Sequence, residues 1–365
     1  MAGGGTAGHV FPALAVAEVL STRHGATVSF VGAADGQEAR LVPDAGYPFL
    51  PLKVASAQTR ASLRSIRAVA LSAAATIRCR SVVRHADVVV GIGGYASAPA
   101  VFAARLARRP VVLIEQNSVP GVVNRLASRW AAAVATTFEQ TAERLPSGTR
   151  VVRTGNPIRA AVRAVPASRD ALAAEASGAF DLRDDRATVL VLGGSQGAMA
   201  IDRAVAAAIE AAPLRSRADL QLLVATGPRH TALVPSTADE TGSLIVRSRP
   251  FIERMDLALS LADAAIARAG AGHIAELTAC AVPSVLVPYP YATEDHQTAN
   301  AEEVRAAGAA RVLADRDLSP ERLAACILEL MDDHEARARM TEAARAWARP
   351  DADERIAALV AEVAA

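Results

Sequence analysis

The chain has 365 residues, 52% of them hydrophobic and 21% charged, a globular composition long enough for two domains. Its 39 basic and 38 acidic residues nearly cancel, so overall charge gives no indication of a nucleic-acid partner. The three cysteines are far apart, which favours free thiols in a reducing compartment over a disulfide framework or a zinc site. The sequence contains no basic-then-apolar leader and no apolar run of bilayer-spanning length, so we expect a cytoplasmic protein.

The chain opens on a glycine-rich turn, GGGTAGH, at residues 3–9. Such a turn normally follows a buried strand, and only Met1 and Ala2 precede it. A buried strand brings several apolar side chains at about 1.5–3 kcal/mol each, against a total stability of about 5–15 kcal/mol. We therefore expect the N-terminal sheet to lack its central strand, with backbone groups unpaired on both neighbours, and the natural protein to begin several residues upstream. The alternative is a sheet that tolerates the gap.

Short β-branched runs then alternate with longer helical patterns rich in Ala, Leu and Arg. The runs lie at 27–32, 87–94, 110–117, 132–138, 150–157, 187–197, 220–228, 263–272, 283–290 and 309–315. Apolar runs without polar alternation, separated by helices, indicate parallel strands covered on both faces. The fold class is therefore predicted to be α/β and doubly wound, with helices only after Leu318.

Four glycine-rich turns each precede a helical pattern: GGGTAGHVFPALAVAEVL (3–20), GIGGYASAPAVFAARL (91–106), GGSQGAMAIDRAVAAAIE (193–210) and RAGAGHIAELTAC (268–280). A turn that opens a helix presents free backbone N–H groups at the positive end of the helix dipole, which suits phosphate. Two turns lie in each half, divided by a segment at about 157–187. This predicts two Rossmann-like domains facing each other, with ligands in a cleft at the carboxyl ends of the strands.

Two side chains beside these turns are candidates for chemistry. His9 follows the first turn, where a neutral imidazole can accept a proton near pH 7; the alternative is a histidine that only bonds a neighbour. Glu276 lies six residues after Gly270 and is either a helix-dipole carboxylate or a bidentate acceptor for sugar hydroxyls. The polar cluster at 292–300 is either a helix N-terminus or a sugar-binding loop.

Two other motifs favour less specific roles. Positions 3, 5 and 8 satisfy G-x-G-x-x-G, but the preceding strand and the later acidic residue of a dinucleotide site are missing, which disfavours a hydride-transferring oxidoreductase. The triplets Asp315–Asp317 and Asp351–Asp353 stand beside helix starts and far from the glycine turns, so we expect capping rather than metal binding.

A basic amphipathic segment spans residues 63–87 and has no acidic residue before Asp87. Such a segment is either a solvated face or a surface that docks on an anionic membrane. Its arginines, with one just upstream, are Arg60, Arg64, Arg67, Arg78, Arg80 and Arg84.

Taken in order, these motifs resemble the MurG family of peptidoglycan glycosyltransferases. The similar stretches run nearly end to end: GGGTAGHVFPALAVA, GIGGYASAPA, IEQNSVPGVVNR, TGNPIR, GGSQGA, ARAGAGHIAEL and VPYPYATEDHQTANA. The resemblance implies the GT-B fold, no metal site and no cofactor. It implies an N-terminal acceptor and membrane-docking domain at 1–157, a linker region at 158–187, a UDP-GlcNAc-binding domain at 188–346, and a C-terminal helix at 347–365 that crosses back.

The activity implied by the resemblance is inverting transfer of N-acetylglucosamine from UDP-GlcNAc to the C4 hydroxyl of MurNAc in undecaprenyl-diphospho-MurNAc-pentapeptide, which converts lipid I to lipid II. The implied location is peripheral, on the cytoplasmic face of the cell membrane. The implied partners are UDP-GlcNAc, lipid I, an anionic inner-membrane surface and other cell-wall synthesis and division proteins, with no nucleic acid. The alternatives are a GT-B enzyme for another glycolipid or small-molecule acceptor, a sugar epimerase, and a non-catalytic nucleotide-binding scaffold.

The same resemblance assigns site residues. His9 is the expected catalytic base. The acceptor diphosphate is expected at Gly93, Gly94 and Tyr95. Ser195 is expected in the phosphate turn, Ile252 at uracil through its backbone, Glu276 on the ribose and Gln297 on the GlcNAc. The full set of expected donor contacts is Thr6, Ala7, Gly8, Asn117, Arg159, Ser195, Ile252, Ala271, Gly272, His273, Ile274, Ala275, Glu276 and Gln297.

One position departs from the family pattern. The family turn usually has a glycine where this chain has Ala7. If that position needs a positive φ, alanine costs roughly 1 kcal/mol there.

Overall fold

A computed structural model describes residues 1–4, 7–54, 63–194, 197–237 and 243–365, with the backbone alone at residues 7 and 63–69. The strands are β1 (Phe30–Ala33), β2 (Phe49–Leu52), β3 (Val89–Gly91), β4 (Val111–Glu115), β5 (Ala133–Thr136), β6 (Val151–Arg153), β7 (Ala187–Leu192), β8 (Leu220–Ala225), β9 (Ile245–Arg249), β10 (Ala262–Arg268), β11 (Ser284–Val287) and β12 (Ala310–Val312).

The helices are α1 (Ala7–His24), α2 (Glu38–Asp44), α3 (Leu63–Val83), α4 (Ala98–Leu106), α5 (Val122–Ala127), α6 (Ala160–Phe180), α7 (Met199–Ala208), α8 (Ala212–Arg215), α9 (Met255–Leu261), α10 (Ala271–Ala279), α11 (His296–Ala306), α12 (Pro320–Asp332), α13 (His334–Trp347) and α14 (Ala352–Ala364). The described strand ladders are all parallel. The predicted α/β class is therefore confirmed, and the chain after Leu318 is helical as expected.

The chain divides into two compact units. Unit 1 is Met1–Arg159 together with Arg349–Ala365, and unit 2 is Ala160–Ala348. Most of the segment predicted as a linker is helix α6, which belongs to unit 2. Helix α14 belongs to unit 1, so the chain leaves that unit and returns to it at its C-terminal end.

The sheet of unit 1 corrects the expectation of unpaired strand neighbours. Ala2 N donates to Val90 O at 2.8 Å and Ile92 N donates to Ala2 O at 2.8 Å. On the other side, Val31 N donates to Met1 O at 2.9 Å. The first residues thus form parallel bridges to both β1 and β3, joining the β2-β1 pair to the β3-β4-β5-β6 sheet. Our prediction was wrong on this point because two residues suffice to pair the central backbone groups.

Helix α14 packs against α1 and completes a core of unit 1. Ile356 is fully buried and Val360 is 3% exposed. They share a hydrophobic cluster with Val16 and Leu20 of α1 and with strand residues beneath. Two ion pairs, Arg23–Glu354 at 3.0 Å and Arg150–Glu362 at 2.9 Å, flank this packing at the surface.

The sheet of unit 2 has the order β12-β11-β10-β7-β8-β9. Strands β7 and β10 lie at its centre, and each leads directly into a glycine turn. The sequence pattern missed β9, because its IVRSR run is partly polar. The structure explains the charge: Arg247 is 8% exposed and donates through Nε to both the carbonyl and the carboxylate of Asp181 at 2.8 Å.

Three other sequence expectations concern cysteines, membrane-spanning helices and metal sites. Cys79, Cys280 and Cys326 are free and buried. Across the described ranges, no helix combines the length and the apolar character needed to cross a bilayer. Within the same ranges, no three His, Cys, Asp or Glu side chains cluster in a way that could hold a metal ion.

Candidate functional site

Two glycine turns of unit 1 meet at one edge of its sheet. Gly3 and Gly4 take φ values of +154° and +151°, and Gly93 and Gly94 take +83° and +71°. A Cβ built on Gly94 would lie 3.5 Å from Gly4 O. The positive φ values require glycine, and they bring the predicted acceptor turn against the turn that precedes α1.

Buried Glu115 shapes the loop that carries Asn117. Its side chain accepts from Asn117 N at 3.0 Å, Gly121 N at 3.0 Å and Asn124 Nδ2 at 2.9 Å. Burial raises the pKa of Glu115, and these hydrogen bonds to the ionised form oppose the rise. The loop is therefore fixed by a carboxylate at the end of β4, which sequence analysis did not select.

The same loop is tied to the start of α1. Gln116 Nε2 donates to Gly8 O at 3.0 Å. His9, the next residue, is half-buried in the first turn of α1. Ala7 begins α1, so its backbone is helical and needs no positive φ. Thr6 lies outside the described residues.

A second carboxylate lies under the first turn. Glu38 is 1% exposed and accepts from Ala33 N at 2.7 Å. A Cβ built on Gly4, Gly32 or Gly36 would collide with its side chain. Gly4 is therefore needed to make room for Glu38, a structural reason for a glycine in this turn that the sequence pattern did not indicate.

Tyr95 and Arg159 complete the expected residues of unit 1. Burial and the nearby carboxylates of Asp35 and Glu38 raise the pKa of Tyr95. The phenol therefore stays protonated at neutral pH and can donate a hydrogen bond. Arg159 lies with its Cζ 5.9 Å from the centre of the Phe11 ring, a cation–π contact with α1.

In unit 2, the glycine turn after β7 adjoins the N-terminus of α10. Gly194 takes φ +93°, and a Cβ there would lie 3.9 Å from His273 Cε1. His273 Nδ1 lies 3.3 Å from Arg268 O. Gly270 is the N-cap residue of α10 and has an extended backbone. Two helix starts, of α7 and α10, therefore lie at the carboxyl ends of adjacent central strands. Ser195 lies outside the described residues.

The stretch Ala271–Glu276 forms the first turns of α10. Ala271, Ile274 and Ala275 are buried, which leaves Gly272, His273 and Glu276 partly accessible. Ile252 is 3% exposed, so its side chain packs inside unit 2, and its backbone contact to uracil stays a prediction.

The polar loop after β11 has a strained backbone. Glu294 and Asp295 take φ values of +53° and +52°, a conformation that costs about 1 kcal/mol or more per residue outside glycine. Gln297 Oε1 accepts from Tyr289 N at 3.0 Å, and buried Asn300 donates to Ala269 O at 3.2 Å. Consecutive strained residues held by such bonds are typical of a functional loop.

Arg268 is the main residue of this region that sequence analysis missed. It is 7% exposed and donates through Nη1 to Val287 O, to Pro288 O and, at 2.5 Å, to Asp315 Oδ1. Its guanidinium lies 5.4 Å from the centre of the Tyr289 ring. Arg268 thus joins three segments at the carboxyl end of the sheet.

The D-x-D prediction needs correction. Asp315 accepts from Arg268, and the N-cap of α12 is Ser319, whose hydroxyl accepts from Arg322 N at 3.1 Å. Asp351 occupies the N-cap position of α14 without a capping side-chain bond, and it pairs with Arg355 at 2.8 Å. Asp315 and Asp351 therefore each pair with an arginine without capping a helix end through their side chains.

Comparisons with known proteins show which family the sequence and the fold of this chain resemble. A model of the glycosyltransferase family 28 N-terminal domain matches residues 1–136, and a model of the family 28 C-terminal domain matches residues 188–356. The chain is similar to proteins named UDP-N-acetylglucosamine--N-acetylmuramyl-(pentapeptide) pyrophosphoryl-undecaprenol N-acetylglucosamine transferase. The one from Halorhodospira halophila is 41% identical, with 100% of this chain and 98% of the relative covered. The one from Lactiplantibacillus plantarum is 38% identical, with 98% and 96% covered. The crystal structure of Acinetobacter baumannii MurG superposes with a TM-score of 0.77 at 32% identity, covering 98% of this chain and 97% of that one.

Proposed function

The chain belongs to glycosyltransferase family 28, with the two-domain α/β GT-B fold, and on this premise we propose that it transfers N-acetylglucosamine from UDP-GlcNAc to lipid I, giving lipid II. The structural observation that carries the proposal is the edge of unit 2 where the glycine turn after β7 meets the N-terminus of α10. Two adjacent helix starts supply backbone N–H groups and positive dipole ends for a diphosphate.

The proposed reaction is an inverting displacement at the anomeric carbon. The C4 oxygen of MurNAc forms a bond to that carbon, the bond to the UDP oxygen breaks, and UDP leaves with the electron pair. His9 takes the proton of the attacking hydroxyl, and the N–H groups at the unit 2 turn stabilise the charge that develops on UDP. The turn at Gly93, Gly94 and Tyr95 holds the acceptor diphosphate. Asn117 and Arg159 stay predicted donor contacts.

The test of the function is incubation with labelled UDP-GlcNAc and a lipid I analogue. We expect a lipid-linked disaccharide and one UDP released per disaccharide formed. Transfer only to another glycolipid would favour the alternative acceptor. UDP or free sugar released without an acceptor would favour an epimerase, and UDP binding without turnover would favour a scaffold.

Glu276 is proposed to accept hydrogen bonds from the ribose hydroxyls. A charged hydrogen bond of this kind is worth about 1.5–3 kcal/mol, so we expect Glu276→Ala to weaken UDP binding by about tenfold or more in calorimetry. The loss should shrink for a UDP analogue without ribose hydroxyls. The matched control is Glu335→Ala, which removes an exposed carboxylate from α13 of the same unit. Unchanged UDP binding by Glu276→Ala would leave Glu276 as a helix-dipole residue.

We further propose that unit 1 docks peripherally on the anionic cytoplasmic face of the cell membrane through α3. Between Leu63 and Val83 this helix carries no acidic residue. Its described outer face exposes Arg78 and Arg80 together with Ile77, which is 71% exposed. Basic side chains interleaved with exposed apolar ones suit adsorption to anionic lipid. Arg60 and the side chains of Arg64 and Arg67 lie outside what the structure describes.

Docking is expected to depend on charge and salt. Each arginine near an anionic surface contributes about 1 kcal/mol. The triple variant Arg78→Gln/Arg80→Gln/Arg84→Gln should therefore bind phosphatidylglycerol vesicles roughly 100-fold more weakly at low salt, with UDP binding unchanged. The matched control replaces three exposed arginines of unit 2, Arg322, Arg339 and Arg345, by glutamine. Equal loss in both triple variants, or none in the first, would contradict a docking surface on α3.

A further inference from the structure

A pair formed by a half-buried histidine and a buried aspartate lies directly behind the glycine turn of unit 2. Asp202 is in the first turn of α7, the helix that this turn opens, and it is fully buried. His230 follows β8, and its Nδ1 lies 3.0 Å from Asp202 Oδ2. Within the described part of the chain, Asp202 Oδ1 is buried without a hydrogen-bond partner.

The same histidine contacts the turn itself. Gly197 takes φ +78°, and its N–H donates to Gly194 O at 2.9 Å, which closes the turn. A Cβ built on Gly197 would lie 2.9 Å from His230 Nδ1 and would collide with Thr226 O. His230 therefore packs simultaneously against the turn and the carboxylate of α7.

The position of Asp202 poses an electrostatic problem. The N–H groups at the start of α7 are expected to bind a diphosphate, and a carboxylate close to that helix start repels it. Because the carboxylate is buried, water screens this repulsion only weakly. Burial raises the pKa of Asp202, while the hydrogen bond and charge of His230, the backbone N–H of Ala198 and the charge of Arg268 act in the opposite direction. Arg268 is itself paired with Asp315, so His230 is the group placed to balance Asp202.

We propose that His230 is a positioning residue for the donor diphosphate: it holds the glycine turn against α7 and balances the Asp202 charge behind it. The inference rests on the proposed function, because it takes the diphosphate of a UDP-sugar as the ligand of this turn. His230 acts through the turn and the buried carboxylate, without touching the reacting atoms. It sets how tightly the donor is held, and it leaves the chemical step unchanged.

The test is a double-mutant cycle read by calorimetry with UDP and with uridine, which lacks the diphosphate. His230→Gln removes the imidazole that packs on the turn and lies with Nδ1 3.0 Å from Asp202 Oδ2, so UDP binding should weaken about tenfold and uridine binding should not change. Adding Asp202→Asn should restore UDP binding to within about threefold of the wild type, because the uncompensated carboxylate is gone. In turnover, His230→Gln should raise the KM for UDP-GlcNAc with kcat nearly constant. The matched control is His334→Gln, an exposed histidine of the same unit.

The outcomes separate the two proposals. Failure of the wild type to bind UDP would overturn the proposed function. Normal UDP binding by His230→Gln, equal losses for UDP and uridine, or additive losses in the double variant would overturn the role of the pair. If His230→Gln does not fold, Asp202→Asn alone decides: UDP binding at or above the wild-type level supports charge balancing, and a tenfold loss contradicts it.

Discussion

Replacing His9 by alanine is expected to lower kcat by about 10²- to 10⁴-fold and to leave UDP affinity nearly unchanged, because the variant removes a general base and no donor contact. His9 lies in the first turn of α1, immediately after Gly8, whose carbonyl accepts from Gln116. A neutral imidazole at this position can accept the proton of an attacking hydroxyl.

The measurement is single-turnover transfer to a lipid I analogue, with UDP binding followed separately. The matched control is His24→Ala, which removes an exposed histidine from the other end of the same helix and should have wild-type activity. In the wild type, kcat should fall at low pH. This fall should disappear in His9→Ala and remain in His24→Ala. Wild-type turnover by His9→Ala would exclude His9 as the base.

The second large effect is on stability. Ile356→Ala should lower the free energy of unfolding of unit 1 by about 2–5 kcal/mol, because it removes a fully buried side chain from the contact between α14 and α1. That is a large part of the about 5–15 kcal/mol typical of a domain. Arg355→Ala is the control on the same helix; its exposed side chain forms an i,i+4 ion pair with Asp351 that is worth a few tenths of a kcal/mol.

Each unit contains one tryptophan, which allows the unfolding of unit 1 to be followed alone. Trp130 belongs to unit 1 and Trp347 to unit 2. In a Trp347→Phe background, urea unfolding monitored by fluorescence reports on Trp130. The ring centre of Trp130 lies 5.8 Å from that of Phe102. An unchanged urea midpoint in Ile356→Ala would show that α14 does not stabilise unit 1.

Much of the fold was predictable because buried parallel strands are continuous apolar runs. Strands such as β7 and β8 carry that pattern in full, and glycine turns mark where they end. Strand β9 escaped because Arg247 and Arg249 interrupt its pattern; their charges are met by the Asp181 carboxylate and by backbone carbonyls. A hydrogen-bond partner that is distant in sequence does not appear in the local pattern of apolar and polar residues.

The candidate site was predictable only where it rests on short motifs. His9, Gly93 and Glu276 were selected from such motifs. Glu38 and Arg268 were not selected, because their roles arise from contacts made by folding. Three glycines cluster around the Glu38 carboxylate, and the Arg268 guanidinium joins three chain segments. Buried polar groups must find partners, and sequence alone does not say which.

The return of α14 to unit 1 has a consequence for synthesis on the ribosome. Unit 2 is continuous in sequence, whereas unit 1 waits for the segment Arg349–Ala365. At roughly 5–20 residues per second, the roughly 190 intervening residues take about 10–40 s to emerge. During that interval the face of α1 that carries Val16 and Leu20 has no α14 to cover it, so part of the core of unit 1 stays open to water. Unit 2, although second in sequence, is the first unit able to finish folding.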